Sequence, residues 1–370
     1  MASLIDILGE IPDPRRGNAQ RHALLDILAI ALVASVCGAE SCVDFAEFAE
    51  DREPLLREFL SLENGLPSHD TFSRVFRLLE PEAFARAFAA FLDDLGADGV
   101  GVLAVDGKTL RRSFDRAAGR SALHLVTAFG AGARVAIGQA AVTEGGNEIL
   151  AARALLETLA LDGLLVTGDA MHAQTETAQL VRDKGGDYLF ALKGNHPRML
   201  AEVAAFFADP PEPLPVFETT DAEHGRIEVR RHRVSHDVSW LFSDRRYPDE
   251  PAMPDLAAIA CVEADRIVDG KTTRATRYYL SSAPLDTKRF AQAVRAHWAI
   301  ENSLHWVLDV TFDEDRARNR KDNGPENLAI LRRLTLNLLR TARPKLSISR
   351  KRKRSGWSDA FARSMIGQMR

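Results

Sequence analysis

The sequence predicts a mixed α/β protein: one sheet of parallel and antiparallel strands clad in helices, an all-helical stretch before it and a β-rich insertion late in it. Three observations carry this. Residues 1–95 repeat apolar side chains at helical spacing, residues 100–192 alternate short apolar strands with helices, and residues 205–275 follow the two-residue period of antiparallel strands.

In the first stretch Leu24, Leu25, Leu28, Ala31, Leu32 and Ser35 recur at helical spacing. The apolar run Ala23 to Val36 is 14 residues long and includes Asp26, too short to span a bilayer and suited to a buried helix. Ser68 caps a second helix over DTFSRVFRLL, and a third runs from Pro81 through FARAFAAFLDDL. The segment around GLPSHDTFSRVF fits either a packing pair or a helix-turn-helix. Leu95 to Gly99 reads as a linker. Strands follow at Val100–Val105, Ala122–Phe129 and Arg134–Val142, the last two joined by the GAGA turn, and the three read as an antiparallel meander. A helix over Asn147–Leu159, a strand at Gly163–Thr167, a helix over Thr175–Lys184 and a strand at Tyr188–Leu192 complete the sheet. Within 205–275, IEVRRHRV, LAAIACVEADRIV and TRYYLSS alternate as strands. Amphipathic helices are predicted over 286–309 and 325–342.

Composition bounds the class. The 370 residues hold 48 Lys+Arg against 52 Asp+Glu, 46% hydrophobic and 27% charged side chains, which excludes disordered and fibrous classes. Cys37, Cys42 and Cys261 form no C-x-x-C pair, and the N-terminus has no leader layout, so a reduced, cytoplasmic compartment is expected with no membrane partner. The net charge of −4 hides an asymmetry: residues 343–370 carry nine Lys/Arg and one acid, net +8, leaving −12 for the rest. The run Arg350 to Arg354, within this basic C-terminal tail, reads either as a solvated end or as a phosphate-seeking arm.

Two acids stand out by position. Asp106 closes one apolar strand and Asp169 another, and carboxylates at strand ends gather where α/β sites assemble. On neighbouring strands they would repel unless a cation lay between them, and oxygen donors without cysteine favour Mg²⁺ or Mn²⁺. A third acid is expected from a helix packed on the sheet. Glu301 lies among Trp298, Ile300, Leu304 and Trp306, with His297 and His305 one turn to either side. A His-Glu-His zinc stripe lacks the spacing of zinc helices. A dinucleotide-binding reading of GAGARV fails because no helix follows it directly.

The segments VLAVDGKTLRRS, GNEILAARALLETL, LLVTGDAMHAQTETAQLVRDKGGDYLFALKGNH, EHGRIEVR, RAHWAIENSLHWVLDVTFDED, NLAILRRLTLNLLR and SISRKRKRSGW resemble, in order, those of DDE-type transposases of bacterial insertion sequences, the H-repeat-associated branch. IPDPRRGNAQRHALLDILAIALVA resembles the region this branch carries before its core. The resemblance implies a ribonuclease H-like core over 100–342, with a β-rich insertion at about 205–275 and a helical N-terminal domain over 1–95. It implies Asp106, Asp169 and Glu301 as catalytic, metal-holding acids, with two Mg²⁺ ions for which Mn²⁺ can substitute, Asp106 bridging the pair. Implied partners are DNA, both the element's terminal inverted repeats and the target, and a second copy in a synaptic homodimer. The family's accessory Tyr, Arg and Lys fall on Val294, His297 and Leu308, and none matches. Expected DNA contacts are Lys108, Arg111, Lys193, Arg226, His297, His305, Arg350, Lys351 and Arg352, with salt bridges as the alternative for Lys108, Arg111, Lys193 and Arg226 and a solvated end as the alternative for the tail cations. Asp309 is the substitute should Glu301 not serve. Trp298 and Trp306 read as core, with base stacking as the alternative. A nuclease or resolvase without strand transfer, and an inactive DNA-binding relic, remain as rival functions.

Overall fold

A computed structural model describes residues 4–94, 101–143, 145–223, 225–242 and 252–367. The expected linker Leu95–Gly99, and Val100 at the start of the first strand, lie outside the described residues.

Among the described residues, nine strands form one sheet: β1 Val102–Thr109, β2 His124–Gly130, β3 Val135–Ala141, β4 Leu165–Gly168, β5 Asp187–Leu192, β6 Phe217–Glu223, β7 Arg226–Ser235, β8 Ala258–Val268 and β9 Lys271–Ser281. Their order is β3-β2-β1-β4-β5-β9-β8-β7-β6. The meander holds, since β1–β2 and β2–β3 pair antiparallel. β4 and β5 then add in parallel, each returning through a helix, Glu148–Thr158 and Thr175–Asp183. The β-rich segment continues this sheet, because β9 pairs antiparallel with β5 and β6–β8 extend outward from it.

Strand side chains alternate between faces. On one face Leu103, Val105, Val126, Val166, Tyr188 and Phe190 pack under Ala152, Leu155, Leu156 and Val181 of the two crossover helices. On the other, Ala104, Phe129 and Ala136 pack against Ile300, Leu304 and Leu308 and against Leu336 and Leu339 of the helix Gly324–Thr341. Asp106 and Lys108, two and four residues beyond Ala104, point to that second face. The Gly324–Thr341 helix is gripped from both sides. Its Asn337 amide, fully buried, exchanges two hydrogen bonds with the backbone of Ala136 at 3.0 and 2.8 Å. Its Leu328, Leu331, Leu334 and Leu338 enter the core of the N-terminal helices Leu4–Gly9, Leu24–Val36, Cys42–Asp51, Glu53–Leu56, His69–Leu78 and Pro81–Asp94.

The basic tail folds back onto this core. Residues 343–370 contain helices Ile348–Trp357 and Asp359–Ile366, and Ala362 and Ile366 join the N-terminal core. Lys351 and Arg352, expected to meet DNA, are 3% and 5% exposed. The Lys351 ammonium donates to the carbonyls of Leu339 and Ala342, helix-end acceptors that otherwise lack partners. The Arg352 guanidinium donates to Ser35, Ala39 and Thr311 carbonyls. Both expectations are corrected: these cations are internal staples, and Arg350 is the exposed member of the three.

Candidate active site

The parallel ladder of β1 and β4 ends at the pair Val105–Gly168. The next residues are Asp106 and Asp169, near enough for the Asp169 charge to act on Asp106, although Asp169 stays outside the close group that Asp106 forms with Glu301 and His305. The expected end of the first strand at Asp106 is corrected: β1 runs on to Thr109, held by antiparallel pairing of Gly107, Lys108 and Thr109 with β2. The chain beyond Gly168 instead turns away into the short helix Ala170–His172. Asp169 caps it, its Oδ1 accepting the Met171 N–H at 2.9 Å.

The expected helix over 286–309 is three segments. Thr287–His297 is α-helical, Ile300–His305 is a π-turn in which Trp306 N–H reaches the Glu301 carbonyl, and Trp306–Thr311 is α-helical again. A π-turn widens the helix by one residue and is found often at functional sites. It keeps Ile300, Leu304 and Leu308 in the sheet core while turning Glu301 to the rim, its side chain 53% exposed.

Carboxylate oxygens of Asp106 and Glu301 and a ring nitrogen of His305 all lie within 4.8 Å of one another. His305 Nδ1 is 3.6 Å from Asp106 Oδ2 and 3.9 Å from Glu301 Oε2, and the ring is 6% exposed. His305 therefore faces the acids from a buried position rather than standing on an exposed stripe. Burial, with the charges of Arg333 and Lys108, pushes its pKa down to about 3, so the ring is neutral. His297 is also redirected. Its Nδ1 meets the Thr167 hydroxyl on β4 at 2.9 Å, and burial pushes its pKa down to about 4. It braces the Glu301 segment against the strand that carries Asp169.

The electrostatics single out Asp106. Burial, then the neighbouring Glu301, raises its carboxyl to about 7 against the pull of the Gly107 N–H, with Glu148 and Asp169 adding to the rise. For Asp169 burial acts upward, but the Met171 N–H and the Lys193 ammonium, 3.1 Å from Oδ2, outweigh it and hold the carboxyl below its usual range.

Glu148 was not singled out in the sequence. Asn147 caps its helix, accepting the Leu150 N–H at 3.0 Å, and so sets Glu148 at the first helical position. Its carboxylate takes His124 Nε2 at 2.7 Å and lies 3.4 Å from His172 Nε2. It occupies the space Gly107 leaves free: a β-carbon there would lie 2.4 Å from Glu148 Cδ. The signal available was the GNEIL segment itself, an N-cap followed by an acid at the start of a crossover helix.

Of the expected DNA-facing cations, Arg111 and Lys193 have side chains 81% and 60% exposed, beside Asp315 and Asp169, and Arg226 is 46% exposed beside Glu228. Lys108 is corrected. Its side chain is 9% exposed and its ammonium is held by Asp309, by Glu314 at 3.0 Å and, at 3.9 Å, by Asp315. Asp309, the substitute for Glu301, belongs to that ion cluster. Trp298 and Trp306 are 41% and 59% exposed and so are not core. Among the described residues, no helix is long and apolar enough to cross a membrane.

The mixed α/β sheet ends the parallel ladder of β1 and β4 just before Asp106 and Asp169 and brings Glu301, from the facing helix, within 4.8 Å of Asp106. The comparisons supply the class. The Transposase DDE domain model matches residues 99–338, and the DDE_Tnp_1-associated model matches residues 5–92. The chain is 34% identical to YncI of Escherichia coli O157:H7, covering 98% of this chain and 94% of that one, and 35% identical to YhhI of Escherichia coli strain K12, covering 92% and 90%. The first is named as a transposase, the second as an H repeat-associated transposase. A piggyBac transposase in a synaptic complex with hairpin DNA matches at 12% identity and TM-score 0.41 over 98% of this chain and 77% of that chain, too loose a likeness to argue from. The chain belongs to the DDE transposase family, and it is a DNA transposase enzyme.

Proposed function

We propose that this transposase cuts DNA at the ends of an insertion sequence and joins the freed 3′-hydroxyl to target DNA, with Asp106, Asp169 and Glu301 as its acid triad. The observation that carries the reading is the register: Asp106 and Asp169 follow the last β1–β4 pair together, and Glu301 stands across from Asp106 on the facing helix. Residues 100–342 act in this reading as a ribonuclease H-like catalytic domain with the β6–β9 segment as its insertion. Residues 1–95 form the associated helical domain, a candidate for DNA contact. Work at two element ends calls for a second copy of the chain.

The residues suit divalent cations. Two carboxylates, Asp106 and Glu301, gather with the His305 imidazole and no thiolate, and Asp169 follows the neighbouring strand; this donor set is dominated by oxygen and matched to Mg²⁺ or Mn²⁺. Asp106, whose carboxyl burial and like charges push up to about 7, is the group a cation would relieve most. Bound there, a pair of such ions would activate the attacking oxygen and offset charge on the leaving one. The chain's own part is to hold the acids still. Asp169 is fixed by its cap to Met171 N–H, Glu301 by the π-turn, and Asp106 by its antiparallel pairing with Thr127 of β2. The exposed cations Lys193, beside Asp169, and Arg111, beside Asp315, suit backbone phosphates, which position DNA without reading its sequence.

The test is Asp169→Asn on DNA carrying the element's inverted repeats. Cleavage is expected to vanish in Mg²⁺ and in Mn²⁺ while DNA affinity stays within about twofold of wild type. Cleavage at the wild-type rate would overturn the triad. A product in which the wild-type protein joins the 3′-end to target separates a transposase that joins from one that only cuts.

A further inference from the structure

Lys108 sits two residues beyond Asp106 on β1 and shares its face of the sheet. Its ammonium reaches Asp309, in the last turn of the segment that carries Glu301, and lies 3.0 Å from Glu314 Oε2, in the turn just after that segment. Glu314 is wholly buried. Its other oxygen takes Arg333 at 3.1 Å, and Arg333 is wholly buried too, in the helix that packs on β3. Asp313, which leads into the turn, holds a left-handed backbone at φ +51°. Solvated surface charges would not need such a turn or such burial. The cluster fastens three elements at one point: the strand of Asp106, the exit of the Glu301 helix and the long C-terminal helix.

We propose that Lys108 is a positioning residue, which with Glu314 sets the distance between Asp106 and Glu301 by tying β1 to the exit of the Glu301 segment. This rests on the triad proposed above and assigns Lys108 a role other than phosphate contact. The mechanics are direct. The Glu301 segment touches β1 through Ile300, Leu304 and Leu308, apolar contacts that tolerate sliding. A charge-assisted bond between buried groups is short and directional and does not slide. Losing it should leave the acids present but loosely spaced, which weakens their joint hold on a cation.

The experiment uses the full chain with Lys108→Met, and Asp309→Asn as a milder variant that leaves the Lys108–Glu314–Arg333 contacts in place. Three quantities are read: Mn²⁺ affinity by calorimetry without DNA, the single-turnover cleavage rate of prebound DNA against Mg²⁺ concentration, and affinity for inverted-repeat DNA at several salt concentrations. Lys108→Met is expected to weaken Mn²⁺ binding and raise the half-maximal Mg²⁺ concentration by about tenfold or more, with DNA affinity and its salt slope unchanged. Asp309→Asn is expected to shift both ion readings about threefold in the same direction. A DNA affinity that falls, with the salt slope smaller by about one and ion binding intact, would make Lys108 a phosphate contact and overturn the proposal. A lowered melting temperature with unchanged ion affinity and rate would also overturn it, reducing the cluster to scaffolding. Should Lys108→Met not fold, unchanged ion readings in Asp309→Asn decide against the proposal. Asp169→Asn runs alongside: if it cleaves, the triad fails, whereas if it is inactive and Lys108→Met keeps wild-type ion affinity, only the positioning role fails.

Discussion

Asp106→Asn is expected to abolish cleavage and, at the same time, to make the metal-free protein more stable above neutral pH. The two effects share one cause. Folding buries the Asp106 carboxyl beside Glu301 and lifts its pKa from 3.8 to about 7. Between those values the folded chain holds a proton that the unfolded chain has released. Stability in the absence of divalent ions therefore falls as pH rises from about 4 to about 7, and the loss persists above that. A shift of this size corresponds to at most about 4 kcal/mol, since one unit is about 1.4 kcal/mol. Asparagine keeps the shape and carries no charge, so the variant escapes the penalty. It should melt a few degrees above wild type at pH 8 in chelator and level with it near pH 4. Mg²⁺ should raise the wild-type midpoint and leave the variant's unmoved. Cleavage should fall by at least about a thousandfold, to below detection in an ordinary assay, as loss of several kcal/mol of charge stabilisation implies. Midpoints of the two proteins that coincide from pH 4 to pH 8 would show that the Asp106 charge is not confined in the fold.

The parts of the site legible in the sequence are those where backbone periodicity does the placing. Leu103, Ala104 and Val105 are apolar and Asp106 is not; Val166, Thr167 and Gly168 lead likewise into Asp169. A buried strand followed by an acid is a local pattern, and the parallel pairing of β1 with β4 turned two such patterns into neighbours. Glu301 was legible through its aromatic flanks. The π-turn was not, because it depends on how the segment packs against Ala104 and Phe129, which no spacing in the segment records. Its neighbours were misassigned for that reason: a regular helix puts His297, Glu301 and His305 on one outward stripe, whereas the fold turns both histidines to the sheet. Lys108 illustrates a related limit. A lysine after a strand reads as solvated, and residues 201 and 206 positions away in sequence, Asp309 and Glu314, make its burial tolerable. The β-rich segment was seen as strands, but its attachment to the edge strand β5 is a long-range pairing that alternation cannot specify. The tail misled most, since five consecutive cations are ordinarily a hydrated run.

That tail yields the second large effect: Arg352→Ala should lower folding stability by about 3–5 kcal/mol, the cost of breaking a buried charged network, while Lys353→Ala next to it changes stability by no more than about 0.5 kcal/mol. Arg352 stands where two helices end. It donates to the Ser35 and Ala39 carbonyls at 3.2 Å each, closing the end of helix Leu24–Val36, and to the Thr311 carbonyl, closing the segment that carries Glu301. Glu40 lies 3.3 Å away, and the guanidinium rests 4.3 Å over the Phe312 ring. Helix-end carbonyls lack partners within the helix and carry the negative end of its dipole, so a cation there both satisfies and neutralises them. Alanine strips the Ala39 and Thr311 carbonyls of this donor, each costing about 1–3 kcal/mol when buried unpaired, while the Ser35 carbonyl keeps the Gly38 N–H. Lysine keeps the charge but not the planar fork, so Arg352→Lys should recover only part of the loss. Urea unfolding of the three variants measures these differences, and DNA binding across salt concentrations supplies the opposing reading. If Arg352→Ala unfolds at the wild-type midpoint yet binds inverted-repeat DNA more weakly with a shallower salt slope, Arg352 contacts phosphate in solution and the folded-back tail is not the state that meets DNA.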